Sequence, residues 1–319
     1  MFLEIVLLLA GLALVVFGAD YLVEGASSLA RRVGLSEFVI GLTIVGMGTS
    51  APEMVVSFIG AAQGNADISI GNVVGSNIFN TLLILGITAL ILPMPITSDN
   101  RKKDVPMNIL ITVLLIVLGL EHTLLGFGTD GLSRVDGAIL VALFLGYMWM
   151  SLRQNTPEKA EEADGKKTPP LWLALLMVAG GLAALIFGGN LFVNSATAIA
   201  HAVGMSDKFV AITILAGGTS MPELATCIAA AAKKKGQLAL GNIIGSNIFN
   251  ILLILGGSAL IHPLSFAGIS YVDLGALIVS ALVLLTSCYV GARNKVDRLD
   301  GVLFLLLFAA YFTYLVMNL

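Results

Sequence analysis

The sequence predicts an all-α integral membrane protein of ten transmembrane helices, arranged as two inverted five-helix repeats with broken helices at the membrane midplane. Three observations predict it. The 319 residues are 57% hydrophobic and 12% charged, with a mean hydropathy of +0.97, whereas a soluble domain carries about 25% charged residues. The chain also repeats itself at an offset of 170 residues. Gly48-Thr49-Ser50-Ala51-Pro52-Glu53 returns as Gly218-Thr219-Ser220-Met221-Pro222-Glu223, and Gly71-Asn72-Val73-Val74-Gly75-Ser76-Asn77-Ile78-Phe79-Asn80 returns as Gly241-Asn242-Ile243-Ile244-Gly245-Ser246-Asn247-Ile248-Phe249-Asn250. Finally, the basic residues alternate along the chain, as they do when successive loops lie on opposite sides of a bilayer.

A span needs about 20 apolar residues. Ten stretches qualify, at 3–28, 37–62, 68–92, 106–125, 136–152, 171–200, 208–232, 238–261, 271–291 and 300–318. The first follows Met1-Phe2-Leu3-Glu4, which has no basic n-region, so it reads as a permanent span and not a cleaved signal. Spans two and seven hold the Gly-Thr-Ser-x-Pro-Glu motif, and spans three and eight hold the Gly-Asn motif. Residues 153–170, from Arg153-Gln154-Asn155 to Thr168-Pro169-Pro170, form a polar linker. It divides a first repeat, 1–152, from a second, 171–319.

Orientation follows from Lys and Arg. Arg31 and Arg32 follow span one, and Arg101, Lys102 and Lys103 follow span three. Arg153, Lys159, Lys166 and Lys167 lie in the linker, Lys233, Lys234 and Lys235 follow span seven, and Arg293, Lys295 and Arg298 follow span nine. Fifteen of the 17 basic residues therefore share one side, with Arg134 and Lys208 on the other. By the positive-inside rule the rich side is cytoplasmic and both termini are extracytoplasmic. Five spans per repeat place the second copy upside down relative to the first. A site shared by two inverted copies can face either side through equivalent motions.

The motif residues carry the chemistry. Pro52 and Pro222 lack an N–H and crowd the carbonyls of Gly48 and Gly218. Broken backbone at membrane depth is tolerated inside protein or beside a water-filled cavity. Freed carbonyls, the hydroxyls of Thr49, Ser50, Thr219 and Ser220, and a carboxylate together offer the oxygen ligands that hard cations take. Glu53 and Glu223 decide the reading. A charge at the bilayer centre costs at least ~2.5–3.5 kcal/mol, which makes an intramembrane carboxylate a functional hypothesis. Neither has an intramembrane Lys or Arg in its own span, Lys208 standing at the very start of span seven, so a bound cation or a proton is the expected counter-charge. Ser76 with Asn80, and Ser246 with Asn250, lie four apart and share a helix face, adding neutral oxygens.

Plainer readings compete. Gly71-x-x-x-Gly75 and Gly241-x-x-x-Gly245 read better as close helix packing than as ligands. A protonated carboxylic acid bonded to a neighbouring helix is the plainer reading of each Glu, and its retention in both copies weighs against it. Asp20 and Glu24 match Asn190 and Asn194, so they are expected to bond between helices or to lie near water. Cys227 and Cys288 read as buried small residues, and His122, His201 and His262 as interfacial.

At these residues the chain resembles the calcium/cation antiporter superfamily, and within it the prokaryotic sodium/calcium exchangers. The resemblance covers nearly the whole chain, with four signature segments in order. It implies ten helices, inverted repeats, Na⁺ and Ca²⁺ as transported substrates, and no cofactor, enzyme activity or nucleic-acid partner. It implies that Glu53 and Glu223 bind Ca²⁺ with backbone oxygens of Thr49 and Thr219. Ser50, Ser220, Ser76 and Ser246 complete Na⁺ sites, Asn80 and Asn250 line the central position, and the backbone of Gly46 and Ala216 serves the outer Na⁺ sites. It also implies three Na⁺ per Ca²⁺ and spans one and six as the moving elements, in a cell (inner) membrane. Proton/calcium exchangers usually carry Gly-Asn-x-x-Glu where this chain has Gly-Thr-Ser-x-Pro-Glu, and potassium-dependent exchangers tend to have Asp at the position of Asn250. A Ca²⁺/H⁺ antiporter and a K⁺-dependent exchanger are the near alternatives. A passive channel and a serine hydrolase using Ser50 or Ser220 are the distant ones.

Overall fold

The computed structural model describes residues 2–126, 128–153, 169–205, 216–290 and 294–318. The linker core 154–168, the start of span seven at 208–215, and Arg293 lie outside the described residues.

The architecture is helical. α1 (Phe2–Val33), α2 (Glu37–Thr49), α3 (Ala51–Ala62) and α4 (Ala66–Ile91) open the chain. α5 (Val105–Gly119), the short α6 (Glu121–Leu125) and α7 (Arg134–Arg153) complete its first half. The second half holds α8 (Leu171–Ala202), the single turn α9 (Ala216–Gly218), α10 (Met221–Ala232), α11 (Gly236–Ile261), α12 (Tyr271–Ser287) and α13 (Arg298–Met317). Among the described residues six helices are long and apolar enough to cross a membrane, and the pair α2–α3, bent by 48°, makes a seventh when taken as one span. Two expected spans are shortened. The stretch 106–125 divides at Leu120 into α5 and α6, and 271–291 stops being helical at Ser287.

Burial sorts the helices into two layers. The most apolar window of α11 is 94% buried and that of α4 67%, against 22% for α1, 28% for α8, 22% for α7 and 11% for α13. α4 and α11 are therefore the core, and α1, α7, α8 and α13 form its rim. The rim exposes Phe17, Leu145, Trp149, Trp172, Phe187 and Leu306. A soluble monomer rarely shows so continuous an apolar surface, whereas lipid tails accept it.

Small residues bring backbones together. α2 packs on α11, where a Cβ on Gly241 would overlap the Phe38 carbonyl and one on Gly245 the Leu42 carbonyl. The packing reading of that glycine pair holds. The counterparts of Phe38 and Leu42 for Gly71 and Gly75 are residues 208 and 212, outside the described residues. α1 and α8 touch along their length at glycine steps. A Cβ on Gly11 would lie 2.8 Å from the Gly188 oxygen, on Gly18 2.9 Å from the Gly181 oxygen, and on Gly25 3.0 Å from the Ala174 oxygen. Numbers rise in one helix as they fall in the other, so these repeat partners run antiparallel.

The ends of the bundle are tied across the halves. Strand β1 (Met94–Pro95) pairs antiparallel with β4 (Lys295–Val296), and β2 (Gly131–Leu132) with β3 (Leu264–Ser265). Residues from the basic loops meet at one end: Arg32 Nε donates to Pro169 O at 2.5 Å, and Arg101 Nη1 to Asn294 Oδ1 at 3.0 Å. Lys235 pairs with Glu37 at 2.5 Å. Two tyrosines of the rim bond to aspartates of neighbouring segments, Tyr147 Oη on α7 to Asp104 Oδ1, just before α5, at 3.3 Å and Tyr311 Oη on α13 to Asp273 Oδ1 on α12 at 2.8 Å. The cysteines are buried and unbridged, and His122, His201 and His262 are exposed at helix ends, as expected of each.

Candidate functional site

The site is built where the two Pro-Glu helices break. α2 ends at Thr49 and α3 begins at Ala51, and Ser50 between them has φ −82°, ψ 9°. Ser220 holds the same place before α10 with φ −87°, ψ 8°. These angles lie near the sparsely allowed bridge region, which active sites use. Pro52 and Pro222 fall in the first turn of the restarted helices, where a missing N–H costs nothing. Glu53 and Glu223 sit in those first turns as well. The positive helix end favours a carboxylate by about 0.3–1 kcal/mol. That is less than the several kcal/mol lost on burying an ion, so the dipole does not replace a counter-charge.

The two glutamates are crossed between the halves. Ser50 Oγ donates to Glu223 Oε1 at 2.8 Å, and Ser220 Oγ to Glu53 Oε1 at 3.1 Å. Ser76 Oγ approaches Glu53 Oε1 at 3.4 Å and Ser246 Oγ approaches Glu223 Oε1 at 3.5 Å. Ser246 Oγ also reaches Gly46 O at 3.3 Å, and Ser76 Oγ lies 3.1 Å from Ser220 Oγ. Both glutamates, Ser50, Ser220, Asn80, Asn250, Ser76, Ser246 and Thr49 are buried. Thr49 Oγ1 donates to Asn242 Oδ1 at 3.1 Å.

Four buried oxygens in this cluster have no hydrogen-bond partner among the described residues: Glu53 Oε2, Glu223 Oε2, Asn80 Oδ1 and Asn250 Oδ1. A buried polar atom left unpaired costs about 1–3 kcal/mol, so four together call for a ligand that accepts lone pairs. Two carboxylate and two amide oxygens, with serine hydroxyls and the Gly46 carbonyl beside them, form a donor set for a hard cation. Among the described residues no group of three or more His, Cys, Asp or Glu side chains could hold a metal, so acid at this site is limited to the two glutamates.

Asn80 and Asn250 lie in π turns, Phe79–Ile84 and Asn250–Leu255. A π turn admits one extra residue and is frequent at functional sites. Here the turns stand at repeat-equivalent places in α4 and α11. Thr219, half-buried, lines a cavity of about 470 Å³ together with Pro52, Val55, Asn190, Asn194 and Pro222. Ala216 opens the turn α9 that leads to this break. The cavity lies on the side of the breaks away from the basic loops. The equivalent place on the basic side is crossed by Lys233, whose Nζ pairs with Asp20 at 2.7 Å and Glu24 at 3.2 Å. The interhelical bond expected of those two acids is thus an ion pair.

Three comparisons place this geometry. The model for the "Sodium/calcium exchanger protein" family matches residues 3–153 and 173–317, leaving out the polar linker. The chain belongs to the sodium/calcium exchanger family. It is 32% identical to the sodium/calcium exchanger MaX1 of Methanosarcina acetivorans, with 97% of each chain covered. It is 36% identical to the inner membrane protein YrbG of Escherichia coli, covering 91% of this chain and 90% of that one. A solved structure of the sodium-calcium exchanger NCX_Mj, soaked with Na⁺ and without Ca²⁺, superposes with a TM-score of 0.84 at 34% identity and covers 97% of both chains. This exchanger-family chain is therefore a multi-pass membrane antiporter and not an enzyme.

Sequence reasoning missed four asparagines around the site. Asn72 Nδ2 donates to Glu53 O at 3.1 Å and Ser57 Oγ at 2.9 Å, and Asn242 Nδ2 contacts Cys227 Sγ at 3.3 Å. Asn77 and Asn247 bond the amides of Asn250 and Asn80. All four stand inside the duplicated motif, and that was the available signal. The helix-face argument selected Ser76 and Asn80 and passed over their neighbour Asn77.

Proposed function

We propose that this exchanger carries Na⁺ and Ca²⁺ in opposite directions by alternating access, with Na⁺ entry driving Ca²⁺ out. The observation that carries the reading is the set of four unpartnered oxygens on Glu53, Glu223, Asn80 and Asn250. Both ions need the two glutamates, so they compete. Either occupied form moves across, while an empty site retains two buried charges. Ser50, Ser220, Ser76 and Ser246 serve Na⁺ beside the carboxylates, Thr49 and Thr219 add backbone oxygens for Ca²⁺, and Gly46 and Ala216 serve the outer Na⁺ sites. The names of the relatives support the ion pair.

In this reading ten spans form two inverted repeats, 1–152 and 171–319, joined by a cytoplasmic linker at 153–170. The antiparallel packing of α1 on α8 and the crossed Ser–Glu bonds support the inversion. Both termini face the extracytoplasmic side of the inner membrane, and the cavity beside Asn190 and Asn194 then opens outward. Liposomes containing the purified protein test the reading. Glu53→Gln and Glu223→Gln keep side-chain size and remove a charge, so each is expected to abolish Na⁺-driven ⁴⁵Ca²⁺ uptake while the protein elutes and melts as wild type does. Near wild-type uptake by either variant would overturn the two-carboxylate site. Uptake driven equally by a pH gradient without Na⁺ would replace Na⁺ by H⁺ as the coupled ion.

A further inference from the structure

We propose that Asn77 is a positioning residue for the cation site: it holds Asn250 with its amide oxygen toward the ions and requires a neutral, donating side chain at position 250. The proposal rests on the cation site described above and names what sets its charge.

The orientation follows from one carbonyl. Asn77 Nδ2 donates to the backbone oxygen of Asn247 at 3.1 Å. A carbonyl can only accept, so Asn77 must point its nitrogen there and its Oδ1 the other way. That Oδ1 lies 2.9 Å from Asn250 Nδ2. Asn250 Nδ2 also reaches Ser76 Oγ at 3.2 Å. Both amide hydrogens of Asn250 are thereby used, and its Oδ1 is left buried and without a partner among the described residues, on a side chain that Ser76 Oγ links to Glu53 Oε1. An ionised aspartate at 250 would set oxygen against oxygen at Asn77, which cannot turn away without losing its own bond to the carbonyl.

The other half lacks this constraint. Asn80 Nδ2 donates to Asn247 Oδ1 at 3.2 Å, but Asn247 Nδ2 is held by a side-chain hydroxyl, Thr81 Oγ1 at 2.9 Å. A hydroxyl either donates or accepts. Asn247 can therefore reverse its amide and offer a donor to position 80. The residue equivalent to Thr81 is Ile251, so the two halves differ in this respect by sequence. Position 80 accommodates an acid and position 250 does not, although the two substitutions add the same charge to the same site.

The test compares Asn80→Asp with Asn250→Asp, so that the effect of added charge cancels. In liposomes, Asn250→Asp is expected to raise the KM for Ca²⁺ about tenfold above that of Asn80→Asp, the size of one unpaired buried acceptor. Asn77→Ser, whose hydroxyl can donate to a carboxylate, is expected to bring the Asn250→Asp protein back toward Asn80→Asp. Equal KM values for the two aspartate variants, or no rescue by Asn77→Ser, would overturn the proposal. If Asn250→Asp does not fold, Asn77→Ala, which removes the acceptor altogether, decides alone: it should raise KM in the wild-type background and change nothing in Asn250→Ala. A similar rise in both backgrounds would mean a merely structural role. The wild-type arm separates the two readings. A wild type that moves no Ca²⁺ sinks the exchange reading, and the same variants are then ranked by thermal stabilisation with Na⁺ or Ca²⁺, where the same order is expected and its absence counts against Asn77.

Discussion

Ser50 and Ser220 each lend a hydroxyl to the glutamate of the other half, so each carboxylate keeps one oxygen fixed and one free. Removing a hydroxyl takes away that oxygen's shorter donor and leaves only the longer contact of Ser76 or Ser246, at a cost of about 1–3 kcal/mol. Ser50→Ala and Ser220→Ala are therefore expected to raise the KM for Ca²⁺ by roughly tenfold to a hundredfold and to retain measurable transport, unlike the Glu→Gln changes. Concentration series in liposomes measure this, and an unchanged KM in both would show that the crossed bonds do not position the glutamates. Protons and Ca²⁺ seek the same two carboxylates. Lowering the pH on the Ca²⁺ side should raise the KM for Ca²⁺ while the rate at saturating Ca²⁺ changes less, the mark of competition. A KM flat through the acidic range would argue against carboxylate ligation. At this scale Glu53, Glu223 and their serine and asparagine neighbours were legible, because acid and amide in an apolar run are costly and both copies keep them. The role of Asn77 was not, because it depends on which neighbour's carbonyl its nitrogen finds.

The helices show the same division. Among the described residues seven of the ten expected spans appear as long apolar helices or a bent pair, since apolar length is read directly from composition. The break at Ser50 followed from Pro52. The π turns at Phe79–Ile84 and Asn250–Leu255 had no Pro or Gly to announce them, and two-residue strands are too short to show alternation. α1 and α8 depend on glycine. A Cβ on Gly18 would meet the Gly181 oxygen and the Leu185 nitrogen, both at 2.9 Å. Backbone cannot give way as a flexible side chain can, so Gly18→Val is expected to destabilise the protein by about 1–3 kcal/mol, seen as a lower melting temperature. An unchanged melt would show that the pair separates freely. Lys233 fastens α1 to α10 through acids that are 59% and 45% exposed, and such pairs are worth about 0–1 kcal/mol. Lys233→Gln should thus leave the melting temperature nearly unchanged. Because Asn190, Asn194 and Gln63 provide no such pair at the equivalent place, it should still loosen α1 near Asp20 and speed hydrogen exchange there. Unaltered exchange would mean the ion pair does not restrain α1.

For the whole molecule, duplication and charge act together. Two halves contribute one carboxylate each, and asparagine at positions 80 and 250 adds no charge, so the ionised site carries −2. One Ca²⁺ makes it neutral, while the three Na⁺ implied by the family resemblance leave +1. Under the proposed exchange the Na⁺-loaded form is expected to move charge through the bilayer and the Ca²⁺-loaded form not, at about 2.3 kcal/mol per 100 mV for one elementary charge. The most direct test fixes the Na⁺ gradient in K⁺-free, pH-clamped liposomes, sets the membrane potential to several values, and measures the Ca²⁺ gradient at which net exchange stops. The account predicts a balance point that requires Na⁺ and shifts with voltage as one charge per Ca²⁺, an inside-negative potential favouring Na⁺ entry and Ca²⁺ exit. A balance point independent of voltage, or Ca²⁺ movement that persists without Na⁺, would contradict it.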